Sequence, residues 1–269
     1  GVKEVEAIKE EIRDIIERYL EIEDVWDYVP SFANPVKEML VVSDNDVCEV
    51  VKNLKDAWNI GEDGILSVTD LLESKNIKVV EIKTDVSFDG LSGYVNNDEN
   101  MPFVVVNKSF DVERLRFTGL HELGHLVMNL PEEMEKKDKE RLCNLFASEM
   151  LISRDIFVDV LGERRSDISL QELKVLQAVY GISVDALMFK AKTVGVISES
   201  KYTSFCIRKN KSLAFKDAVE RSSYRGVEES SRFDRLVYRA LASDMISCSK
   251  AAVLLNEPME EVKNKLELV

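Results

Sequence analysis

The chain has 269 residues, 45% of them hydrophobic, and a formal net charge of −14. That apolar fraction supports a sizeable core and excludes a disordered chain, while the negative charge argues against a protein that grips nucleic acid by neutralising phosphates. No apolar run is long enough for a bilayer, and the opening GVKEVEAIKEEIRD is too acidic for a signal peptide.

The four cysteines (Cys48, Cys143, Cys206, Cys248) lack CxxC spacing, which fits a reducing interior and a cytoplasmic protein. The first residue is Gly1 rather than Met, so processing or an upstream domain is expected. Residues 1–28 predict a helix whose apolar positions Val5, Ile8, Ile12, Ile15, Tyr19, Ile22 and Trp26 alternate in steps of 3 and 4. Such a seam either packs on its own domain or joins two copies as a homodimer through residues 1–28. VPSFANP (29–35), with Pro30 and Pro35 bracketing a polar turn, reads as a linker.

An amphipathic helix is predicted from Asp46 to Ile60 (Val47, Val50, Val51, Leu54, Trp58), and a short one at SVTDLLESKN (67–76). IKVVEIK (77–83) alternates as a half-buried strand. GLSGYVN (90–96) and PFVVVN (102–107) pair as a hairpin across NDEN (97–100). Asp111 is placed to N-cap the next helix, with Glu113 in its first turn. A second long helix covers 135–152, and helical segments continue past the polar break GERRSD (162–167) to Ile197. Residues 200–230 are polar and yield no element. The tail from Ser231 to Leu266 forms two or three helices with Asn256-Glu257-Pro258 as a turn. It has a helix-turn-helix outline, but Glu260, Glu261 and Glu267 stand against only Lys263 and Lys265. A groove-reading helix is more basic, so the tail reads as a packing or protein-docking unit with no direct nucleic-acid binding. Helices, a small sheet and more helices describe an α+β fold, mostly helical, with a small antiparallel or mixed sheet and a helical C-terminal domain. The expected division is 1–45, 46–200 and 201–269.

Both histidines of the chain fall within HELGH, residues 121–125. Positions i and i+4 of a helix lie one above the other on the same face. His121 and His125 can therefore aim two imidazoles at one ion. A catalytic zinc usually takes three protein ligands and leaves a position for water. With no other histidine, the third must be a carboxylate or a thiolate from the next helix, which offers Glu132, Glu133, Glu135, Asp138, Glu140, Glu149 and Cys143. Glu149 lies about half a revolution from Glu140, so the two cannot serve one ion. Glu135 and Glu140 both remain open on geometry.

These stretches resemble the ImmA/IrrE family of bacterial metallopeptidases. The resemblance covers roughly residues 46–200 and rests on RFTGLHELGHLVM (116–128), ERLCNLFASEML (140–151), VVVN (104–107) and YGISVDALMFKAKTVGVIS (180–198). In that family the third ligand is the Glu of a Glu-x-x-(Cys/Ala)-Asn motif, which falls on Glu140, with Cys143 and Asn144 following. Asn144 stands where it could hold the free ring nitrogen of His121 or His125. Gly119-Leu120 and Ile152-Ser153 depart from the family's usual Leu-Ala and Met-Pro, away from any ligand.

The resemblance implies a zinc-dependent endopeptidase, with manganese also acceptable to such a ligand set. Its expected substrate is a helix-turn-helix repressor of the Xre type, in a stress or mobile-element response. Glu122, beside His121, is the expected general base, since bound zinc lowers the pKa of water to about 7. Tyr94, in GLSGYVN, marks the strand along which an extended substrate would add. The alternative is a metal-binding regulatory protein of a repressor or toxin-antitoxin-like system without turnover. A closed site with Cys143 as fourth ligand would favour it.

Overall fold

The computed structural model describes residues 2–29, 31–85 and 87–266; Gly1, Pro30 and Glu267 lie outside the described residues. In chain order come α1 (Val2–Val25), α2 (Asp44–Trp58), α3 (Val68–Ser74), β1 (Lys78–Ile82), β2 (Gly90–Tyr94), β3 (Pro102–Asn107), α4 (Val112–Val127) and α5 (Lys136–Leu151). They are followed by α6 (Arg154–Leu161), α7 (Leu170–Tyr180), α8 (Val184–Val194), α9 (Glu199–Lys211), α10 (Leu213–Glu220), α11 (Arg232–Ala242), α12 (Cys248–Leu255) and α13 (Met259–Lys265). The mostly helical α+β class expected from the sequence is the one observed. Among the described residues, no helix is long and apolar enough to cross a membrane.

Serine caps start many of these helices. Ser43 and Ser169 form capping boxes with Asp46 and Glu172, each satisfying backbone N–H groups that a first turn leaves free. Asp111 occupies the N-cap position of α4, yet its side chain makes no capping bond. Glu113 is buried instead, accepting from the Gln177 amide and the Ser222 hydroxyl.

The sheet has the order β1-β3-β2, with β1 parallel and β2 antiparallel to β3, so the expected hairpin is present and β2 is an edge strand. β1 is not half-buried as its alternation suggests: Lys78, Val79, Val80 and Ile82 are all buried. The face expected to meet water is covered by α1, whose Ile8, Ile12 and Ile15 pack with Val80, Ile82 and Val105. Lys78 is tolerated there because its ammonium lies 2.8 Å from the buried Glu23 carboxylate of α1. Further along α1, Ile22 joins Val237, Ala240, Ala251, Leu254 and Val262 in a second core with α11, α12 and α13. The seam of residues 1–28 is thus used largely within the chain, while Val5 stays exposed.

Residues 200–230, polar enough to suggest no element, contain α9 and α10, capped by Ser198 and Ser212. The segment that follows runs back into the protein, and Tyr224 and Glu228 are buried. Glu228 accepts from the Val68 and Thr69 amides at the start of α3, and its other task is Arg116 of α4. Arg116 is fully buried, its guanidinium 2.5 Å from Glu228 and also bonded to Tyr224 Oη and the carbonyls of Ile65, Leu66, Tyr180 and Gly181. Gly181 has φ +60, and a Cβ there would sit 2.3 Å from Arg116 Nε, so two constraints select glycine.

Breaking a buried pair by removing one partner strands the other charge, at a cost of about 3–5 kcal/mol. Glu228→Ala is therefore expected to lower unfolding stability by that amount in urea denaturation. Replacing the exposed neighbour Glu229 with Ala should change it by no more than about 0.5 kcal/mol.

Candidate metal centre

α4 and α5 pack closely because position 124 is glycine: a Cβ there would lie 3.1 Å from the Phe146 ring of α5. That approach brings Glu140, near the start of α5, over the two histidines. One ligand atom each from His121, His125 and Glu140 lies within 4.8 Å of the others. His121 Nε2 is 3.2 Å from Glu140 Oε2 and 3.2 Å from His125 Nε2, and His125 Nε2 is 3.8 Å from the same carboxylate.

Protonation makes this convergence informative. His121 Nδ1 lies 2.9 Å from Asn144 Oδ1, an acceptor, so Nδ1 carries the hydrogen and Nε2 presents a lone pair. That lone pair faces a carboxylate oxygen and a second imidazole nitrogen. Electron-rich atoms at such distances repel unless a proton or a metal cation lies among them. The donor set, two imidazoles and one carboxylate, fits a divalent transition ion, zinc and manganese included.

The remaining candidates fall elsewhere. Glu132, Glu133, Glu135 and Asp138 are outside the cluster, with Glu135 exposed at the N-cap of α5. Glu149 is buried on another face, paired with Lys190 and accepting from the Arg154 amide. Cys143 is buried with Sγ 3.4 Å from His125 Nδ1, the ring nitrogen turned away from the cluster. Burial, with the nearby charges of Glu140 and Glu122, pushes its thiol up to about 12. Cys143 therefore orients a ring rather than closing the site.

Glu122 is only 8% exposed. Burial raises its pKa above the ordinary carboxylate value, partly offset by a hydrogen bond from Ser92 Oγ to Oε2 at 2.8 Å. Ser92 was not singled out in the sequence. The signal for it was the period of two along β2, which sets Gly90, Ser92 and Tyr94 on one face. α4 lies on that face: a Cβ on Gly90 would meet Thr118 and Glu122, and Tyr94 Oη donates to the Leu126 carbonyl at 3.0 Å. Tyr94's proton is thereby committed.

Residues 72–192 match the family model described as the IrrE N-terminal-like domain, spanning the end of α3 to nearly the end of α8. The match falls on the stretch that carries the motifs and supports its likeness to the ImmA/IrrE metallopeptidases. No curated protein matches the chain.

His121→Ala and Glu140→Ala should each abolish tight binding of one zinc equivalent, measured by calorimetry, whereas Glu135→Ala should leave it intact. Asn144→Ala is expected to weaken the affinity about 10–100-fold, the usual effect of removing a group that holds a ligand's free nitrogen.

Proposed function

We propose that the chain is a zinc-dependent endopeptidase acting in the cytoplasm on a helix-turn-helix repressor of the Xre type. The observation that carries the peptidase reading is the meeting of His121, His125 and Glu140 with the buried carboxylate of Glu122 on the same helix. Manganese suits the same donors, and the repressor substrate rests on the family resemblance.

The ion, when bound, supplies Lewis acidity that acidifies water and polarises a peptide carbonyl. Glu122 takes a proton from the attacking water and delivers it to the leaving amine. Its raised pKa suits a group that must accept and then release a proton near neutrality. Ser92 steadies the carboxylate by holding Oε2, which leaves Oε1 for the proton. With the Tyr94 hydroxyl engaged by Leu126, a backbone amide is the better source of a hydrogen bond to the developing oxyanion. The edge strand β2 offers unpaired backbone groups beside α4, along which an extended peptide can add. A regulatory metal site without turnover is less well supported, since Cys143 faces the far side of His125 and gives no fourth donor.

Glu122→Gln should retain the metal and lower cleavage of the repressor about 100- to 10,000-fold, followed by mass spectrometry of the products. Equal rates from the two proteins would end this reading.

A further inference from the structure

A cavity of about 340 Å³ opens between α4, α5 and α8, beside the metal centre. Phe117, Leu145, Ala186, Phe189 and Val194 form its apolar walls. Glu140 both lines the cavity and belongs to the cluster, while Asn144, also in the lining, backs the His121 ring at Nδ1. Phe117 sits one turn before His121, so the row Phe117, His121, His125 runs from the cavity to the donors along one helix face.

The buried charges around the cavity are matched, and Lys137, at the exposed rim, is the one lining cation with no bonded partner among the described residues. Lys190 and Glu149 form a buried pair, and Arg141 is bonded to Asp44. A charged side chain passing the rim and Lys137 into the interior would lose its hydration and meet only charges already paired there. An apolar one would gain by leaving water. The volume is near the lower end for ligand pockets, enough for one large side chain rather than a helix or a folded surface.

We propose that this cavity is a specificity subsite, which receives a large apolar side chain (Leu, Phe or Met class) of the residue adjoining the scissile bond. The proposal rests on the peptidase reading, and it adds that cleavage is placed by this side chain. Thr193, exposed at the margin, and Ala186, in the wall, are positions where bulk would occlude the space.

The test uses blocked, alanine-rich seven-residue peptides that differ at one central position: Ala, Leu, Phe or Glu. With the zinc-loaded wild type, cleavage should occur next to Leu or Phe. Thr193→Trp and Ala186→Phe should lower kcat/KM for those two peptides about 10- to 200-fold and change it less than about threefold for the Ala peptide. Binding to the non-cleaving Glu122→Gln protein, read by calorimetry, gives a second measure independent of turnover. The Leu and Phe peptides should bind at least about tenfold tighter than the Ala and Glu peptides, and lose that preference when Thr193→Trp is added. Preferential binding that Thr193→Trp removes, without cleavage by the wild type, would uphold the subsite and count against the peptidase reading. Equal binding of all four peptides, or a preference that survives both bulky substitutions, would overturn the subsite.

Discussion

The metal helix is held in place by one buried guanidinium. Arg116 is buried within α4, so its charge must be answered by protein, and the answers come from three distant parts of the chain. Glu228 supplies the counter-charge, Tyr224 a hydroxyl, and the carbonyls of residues 65–66 and 180–181 take the rest. Glu228 is itself tied to the first amides of α3. The rotational setting of α4 follows from this. Arg116 and His121 are five residues apart, about 140° around a helix, so fixing one face inward turns the other toward the cleft. The donors of the metal centre are pre-positioned by a network that none of them joins.

Parts of this were legible in the sequence, and the boundary has a physical cause. HELGH could be read because both rings and Glu122 sit on a single helix, whose geometry is local. The third donor could not be settled that way. Whether Glu135 or Glu140 reaches the rings depends on how far α5 slides along α4, and Gly124 against Phe146 decides that. The family motif chose Glu140, and the packing brings Glu140 to the rings. Ser92 escaped notice since a serine in a short strand carries no chemistry until its partner is known.

Polarity misled where the partner was far away in sequence. Residues 222–230 look like surface, yet Ser222, Tyr224, Glu228 and Ser230 answer Glu113, Arg116, the start of α3 and Glu73. Lys78 and Glu23 show the same thing, each unremarkable alone and buried only as a pair. The alternation of β1 failed for the complementary reason. Period-two patterning reports one covered face, and it cannot register the N-terminal helix α1 folding back to cover the second.

The openness of the metal centre follows from which nitrogen each ring spends on the protein. His121 gives Nδ1 to Asn144, and His125 turns Nδ1 toward the Cys143 sulfur. Both rings therefore commit Nε2 to the cluster and are held from behind. The Cys143 sulfur sits against the Nδ1 side of His125, outside the cluster of converging ligand atoms, and Glu149 is spent on Lys190. The protein thus supplies three donors with fixed orientations and keeps its other candidates occupied elsewhere. A structural site would need a fourth donor, and the nearest thiol and the nearest buried carboxylate of α5 are both committed away from the ion. Next to His121 on the same helix lies the buried carboxylate of Glu122, held by Ser92. On the proposed reading, three donors with a buried carboxylate beside them suit turnover better than storage of a metal.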